Sequence, residues 1–205
     1  MFDSFQKEKS DFLNKKDKSK KGSIDKGIKE LVNLINSKND YYTTSSCAGR
    51  IVLLEMKSKK KNDCGWIFTK HGKVNFKEIL EILKKYKNKK IQNEVWFKQQ
   101  SLILHVSCKN IDAAKMLLDA SRKIFRRAGI IGITDRKTTI EVIGSRNLET
   151  IVADKNFVVD EKYLKKLIKY ANRNFMENKR KIGRFLRSVK KFVTEFRGDY
   201  HEKSI

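Results

Sequence analysis

The densest group of residues that could do chemistry is the segment 43–50. It reads Thr-Thr-Ser-Ser-Cys-Ala-Gly-Arg. Hydroxyls and exposed amides hold carboxylate or phosphate oxygens, Gly49 lets the backbone approach a ligand, and Arg50 offers a bidentate guanidinium fork. Cys47 also invites a thiol-nucleophile hypothesis with a distant histidine. A β-turn of small residues with an ion-paired arginine would explain the same string, so composition leaves both readings open.

His71 and His105 are the candidate proton acceptors, because imidazole is the side chain whose unperturbed pKa lies nearest neutrality. We rank His71 first, since it ends a strand-like run and can border a cleft, whereas His105 lies between two apolar residues. Asp25 would need a raised pKa to serve equally well. Trp66 could stack on a planar base, although a core tryptophan is the commoner case.

Several site classes lose support because their motifs are absent. The cysteines and histidines have no paired-ligand spacing, so we predict no metal site, and three cysteines without a C-x-x-C pair argue against a disulfide framework. The chain contains no G-x-G-x-x-G, no P-loop and no H-x-E with P-C-x-x-C. Dinucleotide binding on a Rossmann fold, P-loop hydrolysis and zinc deamination are therefore disfavoured.

The charge balance indicates a polyanionic partner. Lys and Arg number 48 against 24 acidic residues, a formal charge of +24, while 39% of the chain is hydrophobic. A chain with this hydrophobic content folds. A compositional bias towards lysine would also have raised the number of glutamates, so the excess of basic over acidic residues is informative. RNA is the partner we favour. The polar N-terminal stretch and the lack of an apolar run of about 20 residues predict a cytoplasmic protein.

Apolar spacing predicts an α+β fold of repeated strand-strand-helix units, with a mainly antiparallel or mixed sheet and helices on one face. We expect Ser23 to cap the second helix, a hairpin turn at 98–100, and Gly129 to end a helix in the left-handed region. The predicted strands are 41–47, 50–56, 65–71, 91–98, 101–108, 130–134 and 138–143, and helical stripes centre on 5–13, 28–35, 76–83 and 113–125.

The C-terminal segment is the most basic part of the chain. We predict one domain over 1–205, with 160–197 as a basic helical extension, either unbroken or interrupted near Gly183. Thirteen Lys or Arg and two Glu lie between Lys162 and Arg197. A solvated face and a membrane-surface helix are alternatives, but contact with an RNA backbone is favoured by the charge of the whole chain.

These residues, in this order, resemble the wybutosine-synthesis tRNA methyltransferase family, which supplies the third enzyme of the wybutosine pathway. The resemblance runs from about Phe5 to Val152. Two departures are Ala48, where the family usually has serine, and Ile124, where it tends to have glycine. The matching residues are Asp17-Lys18-Ser19, Gly22, Asp25, the string 43–50, Trp66, His71, 104–108, Ala113, Ala120, 126–129 and Arg136.

The resemblance implies S-adenosylmethionine as methyl donor. It also implies a 4-demethylwyosine-type base at position 37, in the anticodon loop of phenylalanine tRNA, as the acceptor at ring nitrogen N-4. We expect the loop 17–25 and the string 43–50 to line one cleft. The assigned roles are catalysis for His71, Asp25 and His105, donor binding for Ser45, Ser46, Cys47, Gly49 and Arg50, and substrate binding for Asp17, Lys18, Ser19, Trp66, Arg126 and Arg136. A noncatalytic RNA-binding or ribosome-associated protein and a thiol hydrolase using Cys47 are the alternatives.

Overall fold

The computed structural model describes residues 3–15, 23–56, 64–88, 92–156 and 158–198, and the side chains of these residues except for 88 and 192–198. Within them it has two four-stranded antiparallel sheets and five helices, so the predicted α+β class is confirmed. In chain order the elements are α1 Ser4–Leu13, α2 Lys29–Asn36, β1 Tyr41–Cys47, β2 Arg50–Met56, β3 Cys64–Lys70, α3 Phe76–Asn88, β4 Val95–Gln100, β5 Ile103–Cys108, α4 Ile111–Arg122, β6 Arg127–Thr134, β7 Lys137–Ile143, β8 Leu148–Ala153 and α5 Glu161–Gly198.

The chain divides into two compact units. The first consists of Met1–Ala48, Leu102–Ser145 and Lys179–Ile205, and the second of Gly49–Ser101 and Arg146–Asn178. Each unit contains one of the two sheets. The single domain over 1–205 stays a prediction. Within the described residues, no helix is both long enough and apolar enough to cross a membrane.

The sheet of the first unit has the order β1-β5-β7-β6. Alternate residues of its central strands, such as Leu104 and Val106 on β5 and Ile140 on β7, are fully buried on one face. They share a core with α2, α4 and the C-terminal part of α5. Side chains alternate between the faces of a strand, so residues such as His105 belong to the opposite face.

Helix α1 covers one end of that opposite face. Tyr42 on β1 stands across from Ser107, and the rings of Phe5 and Phe12 lie 5.4 and 5.5 Å from the Tyr42 ring. Glu8 accepts a hydrogen bond from the Tyr42 hydroxyl at 2.9 Å and another from the Lys137 ammonium. The hydrogen bond from Lys137 is the main reason why the pKa of Glu8 is lowered. Helix α1 is thus the exception to the expectation of helices on one face.

The sheet of the second unit has the order β3-β2-β4-β8 and carries α3 and the N-terminal part of α5. Asn172 on α5 ties the segment before α3 to this core, because its side chain accepts a hydrogen bond from the Val74 amide at 3.0 Å and donates one to the Val74 carbonyl at 2.7 Å. The buried residues on the sheet include Ile51, Leu53, Val95 and Phe97, and those on the helices include Ile79, Leu83, Leu164, Ile168 and Ala171.

Helix α5 is part of both cores rather than an appended segment. Leu164 and Ile168 are buried in the second unit, and Phe185 and Val189 are buried in the first. The helix runs without interruption through Gly183, which decides between the two predicted forms. Removing the segment 160–197 would therefore remove core residues along with the basic surface.

Three local predictions are wrong. Ser23 does not cap α2, because a turn intervenes and Ile28 occupies the cap position without a side-chain cap. The residues 98–100 do not form a hairpin, since β4 pairs with β2 and β8, whereas β5 pairs with β1 and β7. Gly129 lies inside β6, six residues beyond Lys123, the C-cap of α4, and among the described glycines only Gly49 has a positive φ. Strand β8 was not predicted from the sequence.

Gly49 occupies a position that only glycine suits. Its φ is 97°, and a Cβ there would lie 2.6 Å from the carbonyl oxygen of Gln100 in the same unit. A residue with a Cβ is sterically strained at such a φ, and the Gln100 carbonyl is a backbone group that cannot rotate away from the Cβ as a flexible side chain could. Gly49 is therefore required by the packing of its own chain, whatever else its amide binds.

We expect Gly49→Ala to lower the free energy of unfolding by about 2–4 kcal/mol, from backbone strain plus the clash with Gln100. Urea unfolding measures this loss. Gly132→Ala is the matched control, since a Cβ at Gly132 meets nothing within 4 Å and a change below about 1 kcal/mol is expected. Equal stabilities of Gly49→Ala and the wild type would contradict the packing argument.

Candidate active site

Asp25 anchors the end of β1 in the first unit. Its carboxylate accepts a hydrogen bond from the Ala48 amide at 3.2 Å and another from the Cys47 thiol at 3.8 Å. The side chain is only 5% exposed. Gly27 in the same loop comes so close to Ala48 that a Cβ at Gly27 would lie 2.9 Å from the Ala48 Cβ. The loop 23–28 and the string 43–48 are thus packed together.

A β-bulge in β1 determines which residue of this strand pairs with His105 on β5. The register shifts between Thr43 and Ser45, and the Thr43 amide donates to the side chain of Asn36 at 2.8 Å. After the shift, Ser45 stands across from His105. His105 in turn stands across from Glu141 on β7. The bulge therefore places the Ser45 hydroxyl and the His105 imidazole at paired positions on neighbouring strands.

The row continues across the sheet to its edge and forms what we call the polar row: Ser45, His105, Glu141 and Gly129. Nε2 of His105 lies 2.8 Å from Oε1 of Glu141. The side chains of His105 and Glu141 are 26% and 29% exposed, and Ser45 is exposed. A Cβ at Gly129 would meet nothing within 4 Å. The polar row is therefore accessible from solvent, unlike the end of this face that α1 covers.

Arg50 and Trp66 form the corresponding feature of the second unit. Arg50 Nε donates to the Gln100 side-chain oxygen at 2.8 Å, and the guanidinium carbon lies 4.8 Å from the Trp66 ring centroid. Trp66 is 40% exposed. Within the described residues the two Nη groups of Arg50 make no further hydrogen bond. The stacked guanidinium is thus held in place with donors left for an anion.

The two candidate histidines belong to different units. His71 is exposed in the turn after β3 of the second unit, whereas His105 is half-buried in β5 of the first. Both catalytic assignments stay predictions, and so does that of Asp25, for which the contacts with Ala48 and Cys47 provide a structural role.

The predicted substrate-binding arginines flank the edge strand β6. Arg126 precedes it and Arg136 follows it, both exposed, and Arg127 at its start is exposed as well. Asp17, Lys18 and Ser19 lie outside the described residues. Whether their loop shares a cleft with the string 43–50 therefore stays a prediction.

The cysteines differ in environment. Cys108 is fully buried, and burial raises the pKa of its thiol to about 12, which keeps it protonated and inert. Cys47 and Cys64 are half-buried. Only Cys47 lies in the string singled out by sequence.

Sequence reasoning missed Glu141, Gln100 and Gly27. Glu141 carried a usable signal, because polar and apolar residues alternate over 139–142 and place it on the face away from the core. Gln100 and Gly27 carried none, since their importance comes from which residues they meet in three dimensions.

Comparison with known proteins assigns the family. The family model for methyltransferase TYW3 matches residues 7–191. A zebrafish (Danio rerio) tRNA wybutosine-synthesizing protein 3 homolog is 36% identical over 189 residues, covering 89% of this chain and 73% of the relative. An Archaeoglobus fulgidus protein named tRNA(Phe) 7-((3-amino-3-carboxypropyl)-4-demethylwyosine(37)-N(4))-methyltransferase is 32% identical over 199 residues, covering 95% and 96%.

The fold also has a match among solved structures. A solved structure of the PH1069 protein from Pyrococcus horikoshii has a TM-score of 0.81 and 30% identity to this chain, and the match covers 90% of this chain and 95% of that one. The chain belongs to the TYW3 methyltransferase family. A methyltransferase needs a methyl donor, so the thiol-hydrolase and noncatalytic hypotheses lose their support.

We expect Asp25→Ala to lower the free energy of unfolding by about 1–3 kcal/mol, because it leaves the buried Ala48 amide without its acceptor. Asp25→Asn retains a side-chain oxygen of the same reach and should lose less. Urea unfolding of the two variants measures the difference. The anchoring role is contradicted when the alanine variant is as stable as the wild type.

Proposed function

We propose that this chain transfers a methyl group from S-adenosylmethionine to ring nitrogen N-4 of the 4-demethylwyosine-type base at position 37 of phenylalanine tRNA. The observation that carries the proposal is the family match over residues 7–191, together with an archaeal relative of that name aligned over 95% of this chain. A cytoplasmic location, where tRNA is modified, belongs to the same proposal.

The residues present fit the chemistry of the donor. S-adenosylmethionine supplies a methyl group already activated by its sulfonium, so the protein mainly has to align it and accept a proton. Arg50, fixed by Gln100 and Trp66, has donors suited to a carboxylate. Ser45, exposed, and Ser46, half-buried, offer hydroxyls for the remaining polar groups. Cys47 and the Gly49 amide complete the proposed donor-binding set.

The proposed tRNA contacts combine an aromatic ring with exposed cations. The exposed Trp66 ring suits stacking on a base. Arg126 and Arg136, exposed at the two ends of β6, suit phosphate oxygens of the anticodon loop. The proposed substrate contacts of Asp17, Lys18 and Ser19 rest on the resemblance to the family.

Purified protein with labelled S-adenosylmethionine should methylate phenylalanine tRNA that bears the demethylated base. Mass spectrometry of the digested nucleosides should show one added methyl group on that base. The same tRNA with an unmodified guanosine at position 37 is the matched control and should gain none. Failure to bind S-adenosylmethionine would support the noncatalytic RNA-binding alternative instead.

Helix α5 offers a basic surface for the tRNA backbone. In its second-unit part, Lys162, Lys166 and Lys169 are exposed, and their spacing of four and three residues puts them on one side of the helix. Leu164 and Ile168 on the other side are in the core. In the first-unit part, as far as residue 191, the exposed cations are Lys179, Arg180, Arg184, Arg187, Lys190 and Lys191.

Replacing Lys162, Lys166 and Lys169 together by glutamine should weaken tRNA binding and leave donor binding unchanged. If each lysine contacts a phosphate, the slope of log affinity against log salt concentration falls by about 2–3, at roughly 0.7–0.9 per contact. Fluorescence anisotropy over a salt series measures it.

The matched control replaces the exposed Lys77, Lys85 and Lys87 of α3, in the same unit, by glutamine. It removes the same charge from another helix. Equal slopes for the two triple variants would mean that net charge, and not α5, governs binding. Point variants are needed because a truncation of α5 would remove core residues.

A further inference from the structure

His105 and Glu141 form a hydrogen-bonded pair on the open face of the first unit's sheet. Nε2 of His105 lies 2.8 Å from Oε1 of Glu141. An ionised carboxylate can only accept hydrogen bonds, so in a neutral imidazole Nε2 carries the proton. The lone pair is then on Nδ1, which makes no hydrogen bond to any residue that the structure describes. The pair thus leaves a basic nitrogen unoccupied.

We propose that Glu141 fixes this tautomer and that Nδ1 of His105 accepts the ring N–H proton of the base during methylation. The proposal rests on the proposed function. It assigns a positioning role to Glu141 and prefers His105 over His71, the reverse of the order that sequence alone suggested.

The surroundings of the pair suit a planar substrate. Gly129 follows Glu141 in the polar row, and a Cβ at Gly129 would meet nothing within 4 Å. Neighbouring strands lie about 4.8 Å apart, so the sheet from His105 to Gly129 is about 10 Å wide, enough for fused rings to lie on it. Arg127 is exposed two residues before Gly129 and so belongs to the same face, where it suits the phosphate of the same nucleotide.

The step is balanced in atoms and charge. The ring nitrogen gains the methyl group as the carbon–sulfur bond breaks, and its N–H proton passes to Nδ1 of His105. The positive charge that leaves the sulfur reappears on the imidazolium. The Glu141 carboxylate, already hydrogen-bonded at Nε2, stabilises that cation without moving.

The first test measures the tautomer of His105 in the free protein and does not depend on enzymatic activity. In ¹⁵N-histidine-labelled protein, long-range ¹H–¹⁵N spectra distinguish the two neutral tautomers, and a His105→Gln sample assigns the signals among the three histidines. We expect neutral His105 to carry its proton on Nε2. A signal showing the proton on Nδ1 would overturn the proposal, because Nδ1 could then accept nothing.

The second test is single-turnover methylation at saturating donor and tRNA. His105→Ala should lower the rate by about 10²–10⁴-fold, and Glu141→Gln by about 10–100-fold, with donor and tRNA affinities retained. Glu149→Gln is the matched control, since Glu149 is a strand carboxylate paired with Lys98 at 3.1 Å and outside the polar row. It should keep the wild-type rate.

Added imidazole separates a chemical role from a structural one. It should restore part of the rate of His105→Ala, and less in the His105→Ala/Glu141→Ala double variant, where nothing orients the added ring. His105→Gln is the substitute if the alanine variant is unstable, with the tRNA affinity as the check of folding.

The possible outcomes are distinct. If wild-type protein methylates the base and His105→Ala does so equally fast, His105 is not the acceptor although the proposed function stands, and a slow His71→Ala would then assign the role to His71. If wild-type protein binds donor and tRNA without methylating the base, the proposed function fails and the proton-acceptor role fails with it.

Discussion

The antiparallel pairing of β5 between β1 and β7 is the constraint on which the rest of the first unit depends. Because side chains alternate along a strand, this register buries Leu104 and Val106 on one face and places His105 on the other. A slip of one residue would exchange the two faces. The bulge in β1 then brings Ser45 to His105. A hydrophobic pattern thus fixes where the polar row lies.

The string 43–50, to which we assign donor binding, also has structural roles. Asp25 holds the Ala48 amide, and the φ of 97° at Gly49 makes the turn into β2 beside the Gln100 carbonyl. These two structural roles explain Ala48 and Gly49 without reference to a ligand. Of the proposed donor-binding groups, the Ser45 and Ser46 hydroxyls and the Nη groups of Arg50 have no such role among the described contacts.

The basic face of α5 is stabilised by the apolar face behind it. Like charges crowded on one helix repel each other, and the burial of Leu164, Ile168 and Phe185 offsets that repulsion. Of the acids near the helix, Glu30 pairs with Lys190 at 2.7 Å, whereas Glu177 of α5 pairs with Arg146 at 3.1 Å rather than with a cation of its own helix. The buried side of α5 and the basic side that we propose for tRNA binding are therefore opposite sides of one helix, so a truncation that removed the basic side would also remove core residues.

Sequence by itself determined the α+β class, the bounds 41–47 and 50–56 of β1 and β2, the polyanionic partner and the family, because strand periodicity, net charge and local motifs are properties of neighbouring residues. Only the tertiary structure decided that β4 and β5 belong to different sheets, that α5 is a core element, and that Glu141 stands beside His105. Period-two alternation says which residues share a face, but not which strand lies alongside. Partner choice depends on contacts between residues far apart in the chain, such as the 36 positions that separate His105 from Glu141, and these exist only once the sheet has formed.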